Sequence, residues 1–409
     1  MSKKLIWAFI LTAIFFSFSC TAVTDRSHES DEEWQKKNLE HYQAIPLSIF
    51  KDSINGVRKQ FKDNIPPYPI YEDNQIVGIT ENILALQNPD GGWAKNTDWG
   101  RIYSREELEK LHQKTLSVKP LTYEHKENGS QSTLDNDTIY THVEYLCKVY
   151  QQVKDRRYIE SAKRALQWII NAQHPKSGGW TGSDVYAITY NDGAMSGVLE
   201  LLREIFQDKP DYFKSLGSKA QKEAKAAYDR GIQCVIKTQI HTKLDDGRTI
   251  TAAWGQQHDH ETLQPIWARE FEPPSICTIE SINLLISLMK DKSPSKELQE
   301  CIDSACKWLM SEDIVIRGKR LEEIPAEPEV SAYGRYSDYE TILVDDKDAP
   351  PLWARMYDLK TLKPVFCDRG RRFVDSFNEL SRERRNGYSY LGNWGPKIKA
   401  PYEEWKNRR

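Results

Sequence analysis

The sequence "LQNPDGGW" fills Leu86–Trp93, and a near copy, "AQHPKSGGW", fills Ala172–Trp180. In each, a glutamine and a proline turn lead through a glycine pair to a tryptophan. Each also closes an apolar stretch of helical spacing. "ITENILALQN" sets Ile79, Ile83 and Leu86 on one face, and "RRYIESAKRALQWIINAQ" does the same with Tyr158, Ala162, Leu166 and Ile169. The glycines suit a helix stop and a tight turn. A third stretch of the same shape, "CVIKTQIHTKLDDGRTITAAW", runs from Cys234 to Trp254. The tryptophans at 93, 180 and 254 lie 87 and 74 residues apart, a step that suits a helix pair with an elaborated loop.

Outward from these repeats the chain continues as helix after helix. Ile139, Val143, Leu146 and Val149 share a face, and further helical patterns fall near 194–206, 218–238, 278–290 and 297–309. Strand alternation is scarce. From about 314 to 409 the periodicity weakens while Pro, Gly and aromatic residues increase. The expected fold is mostly α: an α/α toroid, or incomplete α/α barrel, with a loop-rich C-terminal part containing short strands. The tryptophan loops should gather at one end. There each indole either offers a flat face to a sugar ring or packs under its turn, and the two readings weigh equally.

With 409 residues, including 12 Trp, 20 Tyr and 12 Phe, the chain can bury a large core. A net charge of −3 leaves no basic excess for nucleic acid. Lys3 and Lys4 precede the apolar run Leu5–Phe18, which ends in "SFSC" at Cys20. Residues 1–19 read as a signal peptide of lipoprotein type, with a lipid on Cys20 as the membrane attachment. Residues 20–45 read as an acidic polar tether, and 46–409 as a single catalytic domain. That makes the chain an exported bacterial outer-membrane lipoprotein, expected to be a monomer. The other six cysteines match no zinc spacing and read as small buried hydrophobes.

Candidate chemistry lies beside the repeats. "STLDNDT" offers Asp135, Asn136 and Asp137 at a helix start, and "YNDGAM" offers Asn191 and Asp192 at another. Acids at helix starts are ordinary caps, but hard cations also want clustered oxygens. "TAAWGQQHDHETLQPIWAREFEPPS" brings Trp254, His258, Asp259, Glu261 and Arg269 into one polar, aromatic segment better suited to a cleft than to a core. Arginines set among aromatics, as in "PPLWARMYDL" and "ERRNGYSYLGNW", suit bidentate binding of carboxylates.

These stretches, with "GGWAKN", "STLDND", "YNDGAM" and "VFCDR", resemble the family ten polysaccharide lyases, pectate lyases built on an α/α toroid. They run in one order from Asn88 to Trp394. The chain departs from the family pattern at Ala94 and Thr181, where proline is usual, at Gly255, where cysteine is usual, and in "PSICTIES", which lacks the usual glycine. The resemblance implies calcium-dependent β-elimination of α-1,4-linked galacturonan (pectate). Arg269 would be the base. Asp135, Asp137 and Asp192 would lie at the calcium, and Lys95, Asn136, Trp254, His258, Asp259 and Arg355 would bind substrate. Two other classes stand beside this reading. One is a toroid glycoside hydrolase pairing Asp135 or Asp192 with Glu261. The other is a glycan-binding lipoprotein without catalysis.

Overall fold

The computed structural model describes residues 30–119, 130–182 and 185–409. The signal-peptide expectation and Cys20 lie outside the described residues. Twelve α-helices fall within them: α1 Asp31–Asn38, α2 Lys51–Arg58, α3 Ile76–Ala85, α4 Arg105–Thr115, α5 Tyr140–Val153, α6 Arg156–Asn171, α7 Ala194–Arg203, α8 Ser218–Thr238, α9 Thr278–Leu288, α10 Lys296–Leu309, α11 Arg382–Gly387 and α12 Gly395–Asn407. None is long and apolar enough to cross a membrane. Helices α5, α7 and α9 neighbour one another as an inner layer, and α6, α8, α10 and α12 form an outer one. The outer helices show one buried stripe. On α6 it is Tyr158, Ile159, Ala162, Ala165, Leu166 and Ile169, which leaves the charged face to solvent.

The repeated glutamine and tryptophan hold the layers in register. Gln87 Nε2 donates to Gly91 O at 2.7 Å and to Ser161 O of α6 at 3.2 Å. Gln173 donates to Gly178 O and to Ala227 O of α8, both at 2.8 Å. Gln239 donates to Ala252 O and to Cys301 O of α10, both at 3.0 Å. One amide thus ties the loop at the end of one helix to the middle of the next outer helix, satisfying a loop carbonyl and adding a second bond to a helix carbonyl. Each tryptophan closes the same turn from within. The indole N–H groups of Trp93, Trp180 and Trp254 donate to Ile83 O, Ile169 O and Val235 O at 2.7, 2.8 and 2.8 Å. All three rings are fully buried. The packing reading therefore holds, and no face of these rings meets a sugar. Trp353 is a fourth member, donating to Leu309 O at the end of α10 at 3.1 Å.

The glycine pair is a steric requirement. Gly91 has φ +100 and Gly178 φ +76, and a Cβ at these positions would meet the carbonyls of Arg164 at 2.8 Å and of Arg230 at 2.5 Å. The next helix passes too close for any side chain.

Two regions differ from expectation. Within the stretch expected to be a tether, Asp31–Asn38 form α1. A capping box from Ser30 and Glu33 starts this helix, and Trp34 anchors it, 4% exposed, beside α3. The C-terminal part holds short strands but also a long antiparallel hairpin, Lys319–Val330 with Tyr336–Asp345. Both of its faces are partly exposed, so its strands lack the alternation that marks a half-buried sheet. Cys147, Cys234, Cys277, Cys301, Cys306 and Cys367 are all buried free thiols, as expected.

Gln173→Ala leaves the Gly178 carbonyl and Arg230, which also bonds this amide, without their partner. The expected loss is about 1–3 kcal/mol in a urea unfolding experiment. Gly178→Ala should be at least as damaging, because its strain is steric.

Candidate active site

The backbone carbonyl of each repeat tryptophan carries the register forward to the site. Trp93 O accepts from Thr133 N at 3.0 Å, Trp180 O from Thr189 N at 2.9 Å, and Trp254 O from Cys277 N at 2.7 Å. Within three residues of those anchors stand Asp135, in the loop leading to α5, Asp192, two residues before α7, and Glu280, in the first turn of α9. The macrodipoles of α7 and α9 favour negative charge at the last two. The residues two beyond the tryptophans are Lys95, Gly182, Gln256 and Arg355, and the three with long side chains all enter the same site.

Lys95 Nζ pairs with Asp135 Oδ2 at 2.8 Å. Asp135 is 6% exposed. Burial first, then the Asp135 carboxylate, pushes the Asp192 carboxyl well above the ordinary range, while Arg269 and Arg355 pull it back. The structure therefore brings Asp135, Asp192, Arg269 and Arg355 together. Backbone strain collects here too. Asn136, Asp137, Ile139 and Asp192 have φ of 53, 56, 69 and 51, and a β-branched residue in that region marks a junction held by its surroundings.

The arginines lie on an aromatic wall. Arg269 donates through Nε and Nη2 to Glu272 at 2.8 and 2.5 Å, a bidentate pair with a carboxylate that is 1% exposed. Its own side chain is 34% exposed. Arg355 Nη2 bonds Glu280 Oε1 at 2.5 Å, Nε bonds Gln256 Oε1 at 3.3 Å, and the guanidinium lies 4.3 Å from the Tyr388 ring centre. Gln256 Nε2 and the Tyr388 hydroxyl both donate to Glu272 Oε1, at 2.9 and 3.0 Å. Glu272, Gln256 and Tyr388 therefore join the two arginines in one buried network. Arg269 holds the Glu272 carboxyl at about 2, overriding the upward push of burial. In return, the pairing raises the Arg269 guanidinium over the downward pull of burial.

Several expected site residues are used elsewhere. Trp254 is the buried core anchor described above. His258 is fully buried. Its Nδ1–H donates to Leu263 O at 2.9 Å, and its Nε2 accepts Gly255 N–H at 2.9 Å. Both nitrogens hold the loop, and burial depresses the imidazole to about 4. Asp259 Oδ1 accepts the N–H groups of Glu261 and Thr262 at 3.1 and 2.7 Å, so it caps its own turn. Asn136 Nδ2 donates to Asn96 Oδ1 at 2.8 Å at the rim. Asp137 accepts the Tyr140 hydroxyl at 2.8 Å and is pushed up to about 6, first by burial and then by Asp52. Among the described residues no three His, Cys, Asp or Glu side chains are grouped to hold a metal ion. Glu261, the hydrolase's second carboxylate, is exposed and paired with Lys176 at 2.6 Å. Glu272, Glu280, Gln256 and Tyr388 carried no role in the sequence reading, although Glu272 lies three residues beyond Arg269.

The site sets arginines on an aromatic wall against two carboxyl groups. Residues 87–399 match the pectic acid lyase family, and the chain belongs to that family and is a polysaccharide lyase. Two solved structures are similar in fold. One is a mutant of the family 10 polysaccharide lyase from Cellvibrio cellulosa in complex with trigalacturonic acid, at 21% identity and TM-score 0.61, covering 88% of this chain and 99% of that one. The other is the family 10 polysaccharide lyase from the same organism, at 20% identity and TM-score 0.60, covering 89% and 99%. No curated protein matches.

The neutral His258 has a folded pKa, about 4, below its unfolded value near 6.5. Below pH 6.5 the unfolded chain takes up a proton that the folded chain refuses. The stability His258 contributes should therefore be complete above pH 6.5 and shrink as pH falls toward 4, by roughly 1.4 kcal/mol per pH unit crossed. Urea unfolding of wild type and His258→Gln at several pH values checks this: their difference should narrow on acidification.

Proposed function

We propose that this lyase cleaves α-1,4-linked galacturonan by β-elimination at the site of Asp135, Asp192, Arg269 and Arg355. The observation that carries the reading is the meeting of two carboxyl groups, Asp135 and Asp192, with two arginines, Arg269 and Arg355. Removal of the C5 proton builds charge beside a uronate carboxylate, and preorganised cations stabilise that charge. The C5–H electrons form the C4–C5 double bond, the C4–O bond breaks, and the departing oxygen takes a proton from solvent. The family neighbour's complex with trigalacturonic acid supports a polygalacturonate substrate.

Arg355 holds the uronate carboxylate in this reading. It is fixed by Glu280 and Gln256, and among the described residues its Nη1 has no protein acceptor. Arg269 takes the C5 proton. The pairing with Glu272 opposes that role by holding the guanidinium protonated. Its position and partial exposure favour it, and the rival base, His258, has both nitrogens engaged and no surface. Asp135 and Asp192 would hold calcium. Their mutual repulsion is what a cation relieves, and with only two carboxylates the remaining oxygens would come from the sugar. When bound, calcium supplies further positive charge against the uronate. Export and a lipid on Cys20 complete the proposal, supported by the N-terminal sequence.

The test is formation of the unsaturated product, read by ultraviolet absorbance, from polygalacturonate. Arg269→Ala should lower kcat by at least about a hundredfold while substrate still binds, because proton removal belongs to the transition state. Arg269→Lys should restore little. Since the guanidinium pKa is raised, the reactive neutral fraction grows with pH, and activity should still climb well above pH 7. A plateau near pH 7 would exclude an arginine base. A chelator should abolish turnover and added calcium should restore it; chelator-resistant activity would remove calcium from the reading.

A further inference from the structure

Beyond the central site lies a second concentration of positive charge, and it depends on the long hairpin. The tip-side half of the hairpin is clamped by α11: Arg382 donates to Tyr339 O and Glu327 O at 3.1 and 2.9 Å, and Asn386 bonds both Tyr339 O and Thr341 N. Its tip is hooked to the N-terminal part of the chain, where Tyr336 N donates to Lys59 O at 3.1 Å, just past α2. This brings Arg335 of the tip beside Arg384. A Cβ placed on Gly387 would lie 3.5 Å from Arg335 Nε and 3.7 Å from Arg384 Nη2. Arg384 in turn stacks 4.1 Å from the Phe271 ring centre, the ring that also carries Arg269 at 5.0 Å. On its other side, α2 packs on the loop that bears Lys95. Ser53 Oγ bonds both the N–H and the C=O of Thr97, at 3.0 and 3.2 Å.

Among the described residues neither Lys59 nor Arg335 has a side-chain ion pair, and Glu383 is already shared by Arg369 and Arg384. Burial, then Arg335 and Arg384, and to a smaller extent Lys95, depress the Lys59 ammonium, with Glu383 alone opposing. Arg384 already has Glu383, but Lys59 and Arg335 add two cations with no carboxylate of their own, and cations so gathered repel one another unless a further anion joins them. A polyuronate offers a carboxylate on every ring. Once the central sugar is held by Arg355, a neighbouring ring along the chain presents the next one.

We propose that Lys59, Arg335 and Arg384 form a second carboxylate-binding subsite for an oligouronate, built where the hairpin hooks onto α2 and flanking the central site. This assignment rests on the lyase reading. It makes the hairpin a selector of chain length: only a substrate long enough to reach it gains its charge-assisted bonds.

The test compares wild type, Arg335→Gln and Lys59→Gln on polygalacturonate and on the shortest galacturonate oligomer that is cleaved. Each variant should raise KM for the polymer by about tenfold with kcat kept, as expected for a lost charged contact of uniform binding. The shortest oligomer should be unaffected, and Arg335→Lys should keep most of the polymer affinity. An unchanged KM for the polymer, or an equal rise for the shortest oligomer, overturns the subsite. If wild type forms no unsaturated product, the lyase reading fails on that result alone. Calorimetry with a long oligogalacturonate then decides the subsite: binding about tenfold weaker to Arg335→Gln supports it, and equal or absent binding overturns it.

Discussion

The contact on which the rest of the molecule depends is a buried side-chain amide reaching two carbonyls. Gln87, Gln173 and Gln239 each join the end of one helix to the middle of the next outer helix. Such a bond contributes little relative to water, but its loss strands a buried loop acceptor. The stack is therefore held in one register. Because the tryptophan of each turn passes that register to the segment before an inner helix, a misplaced amide would displace Asp135, Asp192 or Glu280. Core packing and site geometry are a single constraint, expressed once per repeat.

The site is built from charges that only partly cancel. Glu272, Glu280 and Glu383 hold arginines against the Phe271 and Tyr388 rings, while Asp135 and Asp192 face them across the site. Each arginine is fixed by a carboxylate partner and an aromatic face before any ligand arrives, so little reorganisation remains at the moment of reaction. The same pairing explains the tension in assigning a base. The carboxylate that orients Arg269 also makes it a reluctant acceptor of a proton.

Much of this was legible in the sequence, and the exceptions have physical causes. Helical periodicity marked α6 and α8 because each buries a single stripe, and α3 and α5, buried more nearly all round, through their apolar residues at helical spacing. The repeated turn was also plain, but an indole offers both a face and an N–H, and spacing does not say which is used; the structure uses the N–H. The fourth member, Trp353, is hidden because the long hairpin separates it from α10. His258 and Asp259 have the composition of a cleft, yet both are consumed in holding their own loop. Tyr388 went unassigned because its partners, Gln256 and Glu272, lie more than a hundred residues away and meet it only once the chain is folded, whereas Glu272 was within reach as the acid three residues beyond Arg269. Asp137 stands in the same short run as Asp135, but its hydrogen bond to Tyr140 commits it to the start of α5.

The buried cysteines give the molecule an internal clock. Burial pushes the thiols up, Cys234, Cys277 and Cys301 to about 12 and Cys367 to about 11. Near neutral pH almost none of them is thiolate, the form that reacts. An alkylating reagent therefore modifies these sulfurs only through openings of the structure around them, at a rate set by how often each part opens. Cys234 and Cys301 sit on successive outer helices, and Cys277 starts an inner one. Labelling each in turn would show whether the repeats open singly or as one body.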